Sequence, residues 1–173
     1  MWDLFETIRH RHSVREYQSD MPVEPDKLHA VLESACAAPS AGDLQSYQIM
    51  VVTNADVRQR LGEAAKQQGF LAEAPLCLAF CADMLRAHAQ YGERGADLYA
   101  VQDATIAAAY AQLACVAAGL ATTWVGFFDE SRVHSILNLG PEVRPIALLT
   151  VGYAAEIPRD TPRRPMTEVV SYL

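Results

Sequence analysis

The chain has 173 residues, 51% of them apolar and 20% charged, the proportions of one folded domain able to bury about 70% of its unfolded surface without a disulfide or metal staple. Its formal charge is −7, with 21 acids against 14 bases, which argues against a general nucleic-acid or anionic-membrane binder, since such a partner needs a local basic patch. The longest weakly polar run, Leu113 to Phe128, is interrupted by Gly119, Thr122 and Thr123 and is too short to span a bilayer. Asp3 and Glu6 stand where a secretory leader carries bases, so a cytoplasmic chain is expected.

Leu4, Phe5 and Ile8 line one face of a short opening helix, which ends in the polar stretch Arg9 to Arg15. Pro22 and Pro25 open a second helix with Leu28, Val31, Leu32 and Cys36 on one side, broken by Pro39 and Gly42. Tyr47 to Thr53 reads as a buried strand, followed by a helix that Asn54 caps and that runs through Lys66. Leu76 to Ala82 reads as a second buried strand, and Asp83 caps the helix after it. The polar segment Gln90 to Ala96, with Gly92 and Gly95, reads as a loop.

The longest element runs from about Leu98 to Ala118, dense in alanine and stopped by Gly119. Its small residues suit core packing and a subunit interface equally. Thr122 to Gly126 and Pro145 to Val151 are two further strands around a helix from Asp129 to Leu137, and Pro158, Pro162 and Pro165 make an extended tail. No repeat or linker divides this order, which predicts one α+β domain over residues 1–173.

Cys36, Cys77, Cys81 and Cys115 lie in apolar surroundings without a Cys-x-x-Cys spacing, so four buried thiols are expected. His10 and His12 flank Arg11, while His29, His88 and His134 stand apart from any ligand motif. No metal is expected.

Six of the twelve arginines sit in two terminal stretches: Arg9, Arg11 and Arg15 near the start, Arg159, Arg163 and Arg164 near the end. Two readings are open. Both stretches are solvated basic turns, or they converge on one phosphomonoester, which the planar guanidinium fork matches and to which Ser13 adds a hydroxyl donor. The chain has no Gly-x-x-x-x-Gly-Lys-Ser/Thr loop, no Gly-x-Gly-x-x-Gly turn and no Gly-x-Ser-x-Gly elbow, which disfavours P-loop, Rossmann and serine-hydrolase readings. Any chemistry is then expected to belong to a cofactor.

The segments Arg11-His12-Ser13-Val14-Arg15-Glu16-Tyr17 and Ala38-Pro39-Ser40-Ala41-Gly42-Asp43-Leu44-Gln45 resemble the two signature segments of the FMN-dependent nitroreductase family. The resemblance continues in order through Gln68 to Pro75, the helix after Asp103, Gly119 to Gly126, Val151-Gly152-Tyr153 and Arg163-Arg164-Pro165. It implies an α+β fold, a mostly antiparallel central sheet flanked by helices, with a long buried helix and a C-terminal tail lying on the partner subunit. It also implies a homodimer with an FMN in each interfacial cleft, reducing small molecules such as nitroaromatics or quinones with NAD(P)H by a ping-pong order. Alternatives are a flavin-binding carrier or sensor without turnover, and a relative doing dehydrogenation or flavin breakdown.

By the same resemblance, Arg11, His12 and Ser13, with Arg164 from the tail, hold the cofactor phosphate, and Arg163 is a further cofactor-binding residue. Arg15 lies by flavin N1 and the C2 carbonyl, where positive charge favours the reduced form. Pro39, Ser40, Ala41 and Asp43 reach over from the other subunit. Gln45 and Gln68 are either polar contacts or solvated loop residues. Trp124, Val125 and Gly126 lie along one edge of the ring, unless the first two are core. The resemblance marks no amino-acid general base. Two departures stand out: Asp43 replaces a frequent Asn and, when ionised, accepts but cannot donate, and Ser46-Tyr47 replaces Pro-Trp.

Overall fold

In a computed structural model the chain is described over residues 3–158 and 161–173. Arg159, one of the clustered tail arginines, lies outside these described residues. Four strands, β1 (Tyr47–Val52), β2 (Leu76–Asp83), β3 (Ala121–Val125) and β4 (Val143–Gly152), form one antiparallel sheet in the order β1-β2-β4-β3. Among the described residues seven α-helices accompany them: α1 (Leu4–His10), α2 (Pro25–Cys36), α3 (Ala55–Ala64), α4 (Phe70–Glu73), α5 (Met84–Arg94), α6 (Ala100–Ala117) and α7 (Glu130–Ile136).

Alternation along the central strands places the core on both faces of the sheet. Leu78, Phe80, Leu149 and Val151 pack with Val31 and Ala35 of α2 and Ala107, Ala108 and Ala111 of α6. Cys77, Ala79 and Leu148 point the other way, onto Leu61, Leu71 and Val133 of α3, α4 and α7. A sheet covered twice needs strands apolar throughout, and β2 is buried along all but its last residue. Pro145 falls where the β2–β4 register slips between Phe80 and Cys81, a bulge that accommodates a residue with no N–H to give.

The expected caps hold. Asn54 and Asp83 accept from the backbone N–H three residues on at 3.1 and 3.0 Å, and Gly119 takes φ +75° past the end of α6. Asp129, not singled out as a cap from sequence, caps α7 in the same way at 3.0 Å. Asp3 and Glu6 form a capping box on α1.

Four expectations need correction, the first being β1, expected as a buried strand, which lies at the sheet edge only partly buried, with Gln48 and Val51 exposed. The segment Gln90 to Ala96 is helical: α5 runs to Arg94, breaks its geometry at Gly92 (φ 63°, ψ −153°) and passes through a wide turn, Gly95–Tyr99, into α6. Tertiary packing overrides composition here, because a Cβ on Gly95 would collide with the Ala87 carbonyl and the Tyr91 side chain. The α3 helix stops at Ala64, since Lys66 and Gln67 adopt φ 59° and 61°. Cys36 is exposed at the end of α2, while Cys77, Cys81 and Cys115 are buried.

Candidate functional site

After α1 the backbone turns extended at Arg11, and the segment lies along the outer edge of β3. Ser13 bridges Thr122 in parallel fashion, and Tyr17 bridges Ala154. Val14 is the anchor. Its N–H donates to the Thr122 carbonyl at 3.1 Å, and its own carbonyl accepts from the hydroxyls of Tyr17 and Thr123. With Val14 buried, strand alternation sends Ser13 and Arg15 outward, and Arg11 has the same parity. The N–H groups of Arg15 and Glu16 donate to Glu156 Oε1 at 2.6 and 3.3 Å, fixing the backbone while the Arg15 side chain stays exposed.

The C-terminal segment runs beside the arginine segment, where the Ala155 N–H donates to the Glu16 carbonyl at 2.8 Å, and the charge of Arg163 reaches Arg11. Burial holds its guanidinium below the ordinary arginine value, and the like charge of Arg163 pushes in the same direction. Two arginines set to repel each other are relieved by an anion between them. Arg164 is occupied differently, donating to the Glu168 carboxylate at 3.2 Å and to the Glu168 carbonyl at 3.1 Å. Beside the segment His10, His12, Val14 and Leu120 border a cavity of about 170 Å³.

Residues 39–45 form a tight loop around a single 3-10 turn, Ala41–Asp43. Gly42, Asp43 and Gln45 all take left-handed φ, at 56°, 55° and 50°, which is strained for the two residues with a Cβ. Several contacts hold the loop there. Ser40 Oγ accepts from the Gln45 N–H at 2.9 Å, the Gln45 amide turns back onto the Cys36 carbonyl at 2.8 Å, and Arg86 of α5 donates to the Leu44 carbonyl at 2.7 Å. Asp103 of α6 accepts from the Ala41 N–H at 2.9 Å and from the Ser46 N–H and hydroxyl at 3.3 and 2.5 Å. Pro39 and Asp43 are exposed; Ser40 and Ala41 are half-buried.

At the end of β3, Trp124 packs against the α2/α6 core and Val125 lies 2% exposed in the opposite core. The Val125 side chain is therefore core, and what this turn offers outward is backbone and the exposed Gly126. Gln68 is half-buried in the turn before α4.

A single chain thus brings the arginine segment, β3 and the start of the tail, Ala154 to Pro158, together. It keeps the 39–45 loop apart from them. That loop leads into β1 and the arginine segment bridges β3, the two edges of the sheet, about 14 Å apart across three strand spacings. Asp103 escaped the sequence reading, although it is the one charged residue in α6, and a lone acid in an alanine-rich buried helix is a usable signal. Among the described residues no group of three His, Cys, Asp or Glu side chains is placed to hold a metal, and no helix is long and apolar enough to cross a membrane.

The model of the nitroreductase family matches residues 8–70 and 64–153. The chain belongs to the nitroreductase family. Among relatives, the NADH dehydrogenase of Thermus thermophilus is 32% identical over 187 residues, covering 92% of this chain and 91% of that one. The FMN reductase [NAD(P)H] of Bacillus subtilis is 27% identical, covering 98% and 73%. Among solved structures, NfrA2 of B. megaterium superposes with a TM-score of 0.92 at 29% identity, over all of this chain and 76% of that one. This nitroreductase-family member therefore has the expected fold, an antiparallel sheet flanked by helices with a long central helix.

Proposed function

We propose that residues 1–173 form one FMN-binding domain of an oxidoreductase, which passes hydride from NAD(P)H to nitroaromatics, quinones or similar small acceptors. Family membership and the names of its relatives support the reaction class. The observation in this chain that carries the reading is the one-sided, outward run of Arg11, Ser13 and Arg15 beside β3, to which Ala155 and Glu156 tie the start of the tail, with Arg163 close enough for its charge to act on Arg11. FMN ends in a phosphomonoester, and two guanidinium forks with a hydroxyl donor suit its oxygens.

In this reading Arg11, His12 and Ser13 hold the phosphate together with Arg163 and Arg164. Arg15, whose backbone Glu156 fixes, sets positive charge beside the ring's N1 and C2 carbonyl. Trp124, Val125 and Gly126 offer backbone along one ring edge, and Gln68 borders it. Pro39, Ser40, Ala41 and Asp43 close the cleft from a second copy, with Gln45 shaping their loop. When bound, FMN supplies hydride acceptance and donation at N5. The chain supplies binding, orientation and a charge bias.

The reading requires a homodimer, and the surface supports one. Leu4, Phe5 and Ile8 are 63%, 67% and 49% exposed. The first and last of these border an apolar groove of about 620 Å³ with Tyr110 and Leu113. Residues 161–173 are exposed throughout, with Met166, Val169, Tyr172 and Leu173 uncovered. Apolar surface on this scale is usually covered by a partner, and a second copy also brings the missing loop to the arginine segment.

Anaerobic mixing with NADH or NADPH tests the activity. Bleaching of the yellow band, its return with a nitroaromatic, and parallel double-reciprocal lines for donor and acceptor are expected. A band that stays yellow with both donors overturns the reading and leaves a flavin-binding carrier.

A further inference from the structure

We propose that Asp103 is the positioning residue of the 39–45 loop, its buried carboxylate holding that loop in the left-handed form from which Ser40, Ala41 and Asp43 reach a cofactor. The proposal rests on the reading of this loop as a cofactor-binding element, and it assigns a role to a residue that touches neither cofactor nor substrate.

Asp103 is 1% exposed and is the single charged residue of α6. A carboxylate taken out of water is unfavourable unless hydrogen bonds or a counter-charge replace the lost hydration. Among the described residues no lysine or arginine pairs with it; three donors from the loop and its exit do the work instead. They bracket the strain. The Ala41 N–H binds Oδ1 just before the left-handed run Gly42 and Asp43, and the Ser46 N–H and hydroxyl bind Oδ2 just after the left-handed Gln45. Each non-glycine residue in that region costs on the order of 1–3 kcal/mol, and such backbones persist only where their surroundings over-determine them.

Because α6 runs through the core, the anchor is rigid. Ala104, Ala107 and Ala108 beside Asp103 are fully buried. Removing the carboxylate leaves two backbone N–H groups without their partner at the base of the loop, that of Ser46 fully buried. The loop then relaxes toward ordinary φ, and its side chains no longer converge.

The test compares the wild type with Asp103→Asn, Asp103→Ala and Ser46→Ala. FMN affinity by fluorescence quenching, visible circular dichroism of bound flavin and the thermal midpoint of the flavin-free protein are measured for each. Asparagine keeps an acceptor for the Ala41 N–H, and the Ser46 hydroxyl can turn to accept from its amide, so Asp103→Asn and Ser46→Ala are expected to bind FMN a few-fold more weakly. Asp103→Ala is expected to lose about tenfold or more. The dichroism of bound flavin should change in all three, which a loss of stability alone does not produce.

FMN affinity and dichroism equal to wild type in Asp103→Asn and Ser46→Ala overturn the proposal, whatever happens to the midpoint; these two decide if Asp103→Ala does not fold. A wild type that binds no FMN sinks the functional reading instead, so the two failures are distinguishable.

Discussion

Arg11, Ser13 and Arg15 are spaced by two on an extended segment whose intervening Val14 is pinned in the core, so their convergence on one side follows from strand geometry. The positive character of that side has a functional consequence only if an anion sits there. Arg15→Ala is expected to leave the fold intact, because it is the Arg15 N–H that binds Glu156, while FMN retention falls or reduction by NAD(P)H slows; unchanged flavin content and rate would remove Arg15 from the site. In the tail, Arg163 bears on Arg11 and Arg164 pairs with Glu168. Arg163→Ala is expected to weaken FMN binding about tenfold or more, through loss of a charge-assisted phosphate contact, and Arg164→Ala to weaken it less. Titration calorimetry with FMN checks both, and an unmoved affinity in each variant would place the tail away from the phosphate.

At the scale of elements, the tie between the N-terminal segment and the sheet is protonation-sensitive. Burial pushes the Tyr17 hydroxyl up to about 12 from 10.0, and the Cys77, Cys81 and Cys115 thiols up to about 12 from 9.0. A raised folded value means that the unfolded chain releases the proton first as pH rises. The stability these groups contribute is therefore complete below the unfolded values and lost as pH climbs through the folded ones. Cys115→Ser removes one such group, and denaturant titrations across that alkaline window should show its stability falling less steeply with pH, by up to about 1.4 kcal/mol per unit; identical slopes would contradict this. The same elements show what could be read in advance. Asn54 and Asp83 marked two helix starts because a short polar side chain ahead of an apolar run has one obvious use. Gln90 to Ala96 misled because glycine favours loops locally, whereas here Gly95 lets α5 and the turn after it pack without a Cβ between them. Asp103 and the Ser46 hydroxyl are 57 residues apart, and no local pattern announces such a pair. Nor does local pattern disclose that the 39–45 loop and the arginine segment flank opposite edges of the sheet.

For the whole molecule that separation is decisive. One chain offers arginines at one sheet edge and a strained, anchored loop at the other, and leaves α1, Tyr110 and the C-terminal residues uncovered. In the homodimer proposed above, pairing two chains would bury that surface and complete each cleft from both. Flavin binding and assembly depend on each other in that homodimer, so native mass spectrometry of the purified protein after addition of FMN tests both most directly. The expected species has twice the 19.0 kDa chain mass plus two FMN. A single chain carrying no flavin, or a dimer that takes up none, would contradict it.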